Sequence, residues 1–251
     1  MKKRRLTTVG KICIGVIAAC LIFMMFWAIR PLFHEKAVVS EPAPAAETTP
    51  TPSASPVATE DASFAAEYAQ NKQINPEYIG RMTFESGIIE QNLAQGTDNE
   101  KYLNTAWDGT ADHVGAAYLD YRNVLSDQNL IFYGHYHYDD PVAMFTPLEQ
   151  LLDQSNYEAN KYIDIKFSGT DSRRYVITDV FYYEMKSDTL KYYKPNYDSD
   201  FFTTYYTAVK QADFYDTGET LTMNDHWISL QTCVRNHDEL REIVLAKQIT
   251  K

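Results

Sequence analysis

Past residue 20 the chain has one cysteine, Cys233; the other two, Cys13 and Cys20, sit in an apolar stretch near the N-terminus. A single cysteine cannot form an internal disulfide, and no Cys/His cluster has metal-ligand spacing, so disulfide-stapled folds and structural zinc sites are excluded. No glycine-rich phosphate loop is present, which removes the nucleotide-binding motifs that depend on one, and no internal repeat is visible. Nothing in the sequence asks for a metal or a cofactor. Acidic side chains are missing altogether from residues 1–30.

Charge is therefore distributed unevenly along the 251 residues. Six of the 23 Lys and Arg and none of the 34 acids lie in residues 1–30, leaving 17 basic against 34 acidic side chains and a formal charge of −17 beyond Arg30. Such a surface repels nucleic acid and anionic headgroups and suits neutral or cationic partners such as free amines.

Residues 1–11 form a basic tail, and "ICIGVIAACLIFMMFWAI" (Ile12–Ile29) follows without a charge. As a helix this run rises roughly 27 Å, close to the hydrocarbon thickness of a bilayer. It ends in "WAIRPLF" with no A-x-A cleavage motif, so residues 12–30 are expected to be an uncleaved anchor, not a signal peptide. The basic residues ahead of it place the N-terminus in the cytoplasm and the rest of the chain outside the cell. Residues 31–63 are rich in Pro, Ala, Ser and Thr and lack the apolar content to fold, which makes them a spacer.

The expected folded domain is 64–251. "RMTFE", "GAAYLD", "NLIFYGH", "YIDIKFS", "RRYVITDVFYYEMK", "HWISLQT" and "REIVLAKQI" read as strands; "FAAEYAQNKQI", "MFTPLEQLLDQSNYEAN" and "DFFTTYYTAVKQADF" read as helices. Many strands and few helices favour a closed barrel or a sandwich carrying peripheral helices.

Cys233 ends one strand and Arg241 opens the next. If the two strands are antiparallel across a loop at 234–240, these residues lie side by side. Arg235, two residues past the cysteine, is the rival basic group. Of the six histidines, His135 ends an apolar strand just after Gly134 and is placed to face a cleft; His137 and His237 are weaker candidates. Thiol catalysis needs a thiolate, a proton donor and an oxyanion partner. Cys233, His135 and one of the two arginines can fill those roles. An inert, buried Cys233 in an anchored binding domain is the alternative.

Taken together, Tyr133-Gly134-His135, Leu230-Gln231-Thr232-Cys233 and Arg241-Glu242-Ile243-Val244-Leu245-Ala246-Lys247 resemble a class B sortase. That family has a strand ending in Y-G-H, a later one ending in T-L-S-T-C, and a last strand of R-x-V-V-x-A-K form. "GTDNEKYLNTAWD" with "GAAYLDYRN", and "FFTTYYTAVKQADFYDTGE", are also similar, so the likeness spans about 65–251. The resemblance implies a mainly β fold, a closed eight-stranded barrel with peripheral α-helices behind a single transmembrane helix. It implies a transpeptidase in a Gram-positive envelope with His135, Cys233 and Arg241 catalytic and Tyr133, Leu230, Gln231 and Thr232 contacting substrate. The thiol would attack the Thr carbonyl of a C-terminal sorting signal on an exported protein, and the acyl group would pass to an amine of a peptidoglycan cross-bridge or a pilin lysine. Members of the class serve both haem uptake and pili.

Two departures stand out. Gln231 replaces the usual serine two before the cysteine, and "YHYDDP" after His135 replaces an Asn-Met loop, bringing His137, Asp139 and Asp140 near the site. "TCVRNH" also echoes the L,D-transpeptidase motif faintly, but the His and Gly which that motif needs ahead of its cysteine are Gln231 and Thr232 here.

Overall fold

The computed structural model describes residues 61–187 and 190–250. The basic tail, the apolar run at 12–30 and all but the last three residues of the Pro-rich stretch lie outside the described residues. Among the described residues no helix is long and apolar enough to cross a membrane.

Helix α1 (Ala62–Ile74) opens the described chain, with the Asp61 side chain accepting from Phe64 N at 3.0 Å as its N-cap. Eight strands follow: β1 (Tyr78–Phe84), β2 (Glu90–Ala94), β3 (Ala117–Leu119), β4 (Asn129–Tyr133), β5 (Tyr162–Lys166), β6 (Ser172–Glu184), β7 (Trp227–Val234) and β8 (His237–Thr250). They close into a barrel in the order β1-β2-β3-β4-β7-β8-β6-β5, β5 returning to β1. Two neighbouring pairs are parallel, β2 with β3 and β4 with β7; the others are antiparallel. Short α2 (Tyr157–Asn160) precedes β5 and α3 (Ser199–Ala212) lies between β6 and β7.

Apolar side chains pack on both faces of the β4–β7–β8–β6 wall. Leu130, Phe132, Ile228, Leu230, Val180, Val244 and Ala246 fill the barrel. Ile131, Phe181, Trp227, Ile243 and Leu245 point outward, where Phe202, Tyr205 and Val209 of α3 cover them together with Tyr192 and Tyr197. A wall buried on both sides reads as continuous apolar runs, which is why "NLIFY" and "REIVLA" do not alternate. Each large side chain so buried contributes about 1.5–3 kcal/mol of transfer free energy.

The strand expectations hold at seven places and miss β2. "EQNLA" buries only Leu93 and Ala94, and its Glu, Gln and Asn carry little strand preference. It is a strand because β1 and β3 pair with it on either side. The helix expected across 144–160 is instead a 3₁₀ segment, Thr146–Leu152, then a 3₁₀ turn at Gln154–Asn156 and the single turn α2. Leu148 and Leu151, both fully buried, are three apart and suit three residues per turn. Two hydrogen bonds also pin the segment's start: Phe145 N donates to the His135 carbonyl at 3.2 Å, and His137 N donates to the Thr146 side-chain hydroxyl at 2.8 Å. The loop expected at 234–240 is shorter, because Val234 pairs with His237 and only Arg235 and Asn236 form the turn, Asn236 with φ of 61°.

Candidate active site

Cys233 is half-buried near the end of β7, and its direct cross-strand partner on β8 is Arg241. Opposed residues in an antiparallel pair project to the same face. That face is the outer one, shared with Gln231 and with Tyr183, the partner of Arg241 on β6. Beyond this pair the register slips before Val234 meets His237, so β8 carries extra residues between 237 and 241. Their carbonyls receive the guanidinium: Arg241 Nη1 donates to Asp238 O at 2.8 Å and Leu240 O at 2.7 Å. Arg235 projects elsewhere, its Nε donating to Tyr136 Oη at 2.8 Å and its guanidinium lying over the rings of Tyr136 and Tyr138.

His135 arrives from the other side of β7. The parallel β4–β7 ladder pairs Tyr133 with Gln231, and Gly134 N extends it by donating to Gln231 O at 3.1 Å. Two residues past each member of that pair are His135 and Cys233, which puts both at one level of adjacent strands. The imidazole is positioned by a main-chain group, Nε2 lying 2.8 Å from Leu103 O. A carbonyl only accepts, so Nε2 carries the hydrogen and Nδ1 is the nitrogen left to exchange a proton. Gly134 is required for this geometry: a Cβ there would lie 2.6 Å from two atoms of the Phe145 ring. Gly115 makes a matching close approach beneath the histidine, with φ of +72° and an added Cβ 2.5 Å from Tyr102 O and 3.2 Å from His135 Cδ2.

No family model matches the chain. It is similar to Sortase B of Listeria monocytogenes, 26% identical over 184 residues covering 72% of this chain and 73% of that protein. It is equally similar to Sortase B of Staphylococcus aureus, 26% identical over 185 residues covering 71% and 72%. The X-ray structure of Clostridium perfringens Sortase B superposes with a TM-score of 0.65 at 25% identity, covering 72% of this chain and 99% of that one. A Staphylococcus aureus sortase B–substrate complex shares the fold with a TM-score of 0.65 at 23% identity, over 74% and 86% of the two chains.

The chain resembles the class B sortases in both sequence and fold.

These matches support a sortase-type cysteine transpeptidase, here on a closed eight-stranded barrel. Of the four residues expected to contact substrate, Gln231 and Tyr133 are part-exposed on the outer face. Leu230 and Thr232 point into the barrel and are 0% exposed, so the structure does not bring them to the open face. Strand alternation decides this: the residues flanking Gln231 must point the opposite way. Gln231 Oε1 accepts from the Tyr192 hydroxyl. Tyr133 donates to buried Asp120 Oδ2 at 2.8 Å. Burial would raise the Asp120 carboxyl, but bidentate Arg122, with Tyr133 and Asn99, holds it below the usual carboxylate range.

Asp139 and Asp140 are exposed, and no ion pair joins them to His135 among the described residues. His137 stands beside His135 with ring centroids 5.7 Å apart. Tyr192, Tyr183, Asp120 and the Leu103 carbonyl are site residues that sequence reasoning missed. No local pattern marks them, since they come from the β6–α3 connection, β6, the end of β3 and a 3₁₀ turn.

Proposed function

We propose that this sortase cleaves a C-terminal sorting signal after Thr, holds the acyl group as a thioester on Cys233 and transfers it to an amine. The observation that supports the reading best is the placement of three residues on neighbouring strands: Cys233 near the end of β7, its cross-strand partner Arg241 on β8, and His135 just past β4. The thiolate attacks the Thr carbonyl carbon and a C–S bond forms. The carbonyl oxygen takes up negative charge beside Arg241, whose Nη1 is anchored by the β8 carbonyls. The peptide C–N bond then breaks, and His135 gives the departing amine its proton. In the second half the incoming amine attacks the thioester, the C–S bond breaks, and the amine proton returns to His135.

The similar Staphylococcus aureus protein has been solved as a substrate complex and a related sortase B with triglycine, which supports a peptide donor and an amine acceptor here. The acceptor is a peptidoglycan cross-bridge or a pilin lysine, and the apolar run at 12–30 anchors the enzyme with its barrel outside the membrane. The test is intact-mass analysis of the full-length chain with pools of N-P-x-T and L-P-x-T peptides and a glycine or diaminopimelate amine. The expected result is an acyl adduct on Cys233 that is absent in Cys233→Ala. A natively alkylatable thiol that forms no adduct with any peptide would overturn the proposal.

A further inference from the structure

On the barrel side of the thiol lies a cavity of about 240 Å³, bordered by Cys233 and lined by Tyr136, Glu149, Tyr182, Arg235 and Glu242 among others. The role given to the Cys233 face leaves this space unused. Glu242 follows Arg241 on β8 and so turns inward, opposite Thr232 on β7 and Tyr182 on β6. Only 2% of it is exposed, and among the described residues its Oε1 has no hydrogen-bond partner; Thr232 Oγ1 beside it has none either. A buried, unpartnered carboxyl at a cavity wall is costly unless something fills the cavity.

The charges around it show what is missing. Glu149 on the exposed rim accepts from the Tyr136 hydroxyl at 2.7 Å, and Arg235 donates to that same hydroxyl, so one acid and one base are linked through a phenol. Among the described residues Glu242 has no such counterpart, although His237 also lines the cavity. One positive charge would complete the set. Tyr136 and Tyr182 offer aromatic walls, which favour an organic cation over a hydrated metal ion.

We propose that this cavity is a subsite for a primary alkylammonium group of the acceptor, with the Glu242 carboxylate as its charge partner. The acceptor role rests on the transpeptidase reading above; the cation site itself does not. A second ammonium on the acceptor, or the attacking one before it loses its proton, would be held beside the thioester and pair with the Glu242 carboxylate, any proton on that carboxyl passing to solvent.

The probe is butylammonium chloride, compared with butanol and with potassium chloride of equal ionic strength, on the full-length chain. Butylammonium should raise the melting temperature where butanol and the salt do not, since a ligand of the native state stabilises it. In Glu242→Gln the apparent dissociation constant should rise by about tenfold or more. If Glu242→Gln does not fold, amide shifts in the unmodified chain carry the test: changes centred on Thr232, Tyr182 and Glu242 support the site, and changes elsewhere overturn it. Equal responses in both chains, or none in the unmodified one, also overturn it. Adduct formation on Cys233 is followed in parallel. Adduct formation with a Glu242-independent response would sink the subsite alone, whereas a Glu242-dependent response without any adduct would keep the cation site and sink its acceptor role.

Discussion

Cys233 and Arg241 are direct partners on the β7–β8 ladder at the last pairing before the register slips. The slip gives β8 the extra residues whose carbonyls, Asp238 O and Leu240 O, hold the guanidinium. Thiol and guanidinium are thus set by a backbone ladder, and the guanidinium's orientation by an irregularity in that ladder.

Arg241→Ala should lower the rate of acyl-adduct formation by about a hundredfold or more, the scale of losing an oxyanion donor. Arg235→Ala, which loses a contact to Tyr136 on the other side of the turn, should lower it far less. Single-turnover mass spectrometry on both variants decides between the two arginines; the reverse order would move the role to Arg235.

Gly134→Ala should displace the Phe145 ring, because its Cβ has no room at 2.6 Å. Overpacking of this kind costs about 1–3 kcal/mol, and here it also pushes on the residue before His135. Loss of adduct formation out of proportion to the fall in denaturation midpoint would show that His135 has moved. Undiminished activity would mean that Phe145 yields without cost.

Leu230→Ala and Gln231→Ala should part company although they are neighbours. Leu230 is sealed in the barrel, so its truncation should cost about 2–5 kcal/mol of stability. Gln231, part-exposed beside Tyr192, should alter KM or signal preference with little effect on urea unfolding. Matching stability losses would contradict the outward placement of Gln231.

Glu242 sets a pH dependence. Burial, and then the charge of Glu149, raise its carboxyl from 4.5 to about 8. The native state keeps a proton that the unfolded chain gives up, so stability falls as pH rises from about 4.5 to about 8, by a few kcal/mol in total from this group. Urea unfolding of the chain across that window should show a decline that Glu242→Gln flattens. An unchanged slope in the variant would show that Glu242 ionises freely.

Much of the site was legible in the amino-acid sequence. A lone thiol at a strand end, an arginine opening the next strand and a histidine after a glycine were visible because each is a local pattern. The apolar runs marked seven of the eight strands. What local pattern could not supply was β2, whose polar "EQNLA" becomes a strand only through its neighbours, and the 3₁₀ character of Thr146–Leu152, which helical periodicity cannot separate from an α-helix.

The residue types and their order determined the chemistry available to this protein: one thiol beyond the N-terminal apolar run, two competing arginines, a histidine about a hundred residues upstream. Tertiary structure alone decided which of them meet and which way each one faces. Parallel pairing of β4 with β7 brings His135 to the level of Cys233. Alternation turns Leu230, Thr232 and Glu242 into the barrel while Gln231, Cys233 and Arg241 stay outside. The physical reason is that a strand's period of two assigns faces only after register is known, and register is a property of the closed sheet.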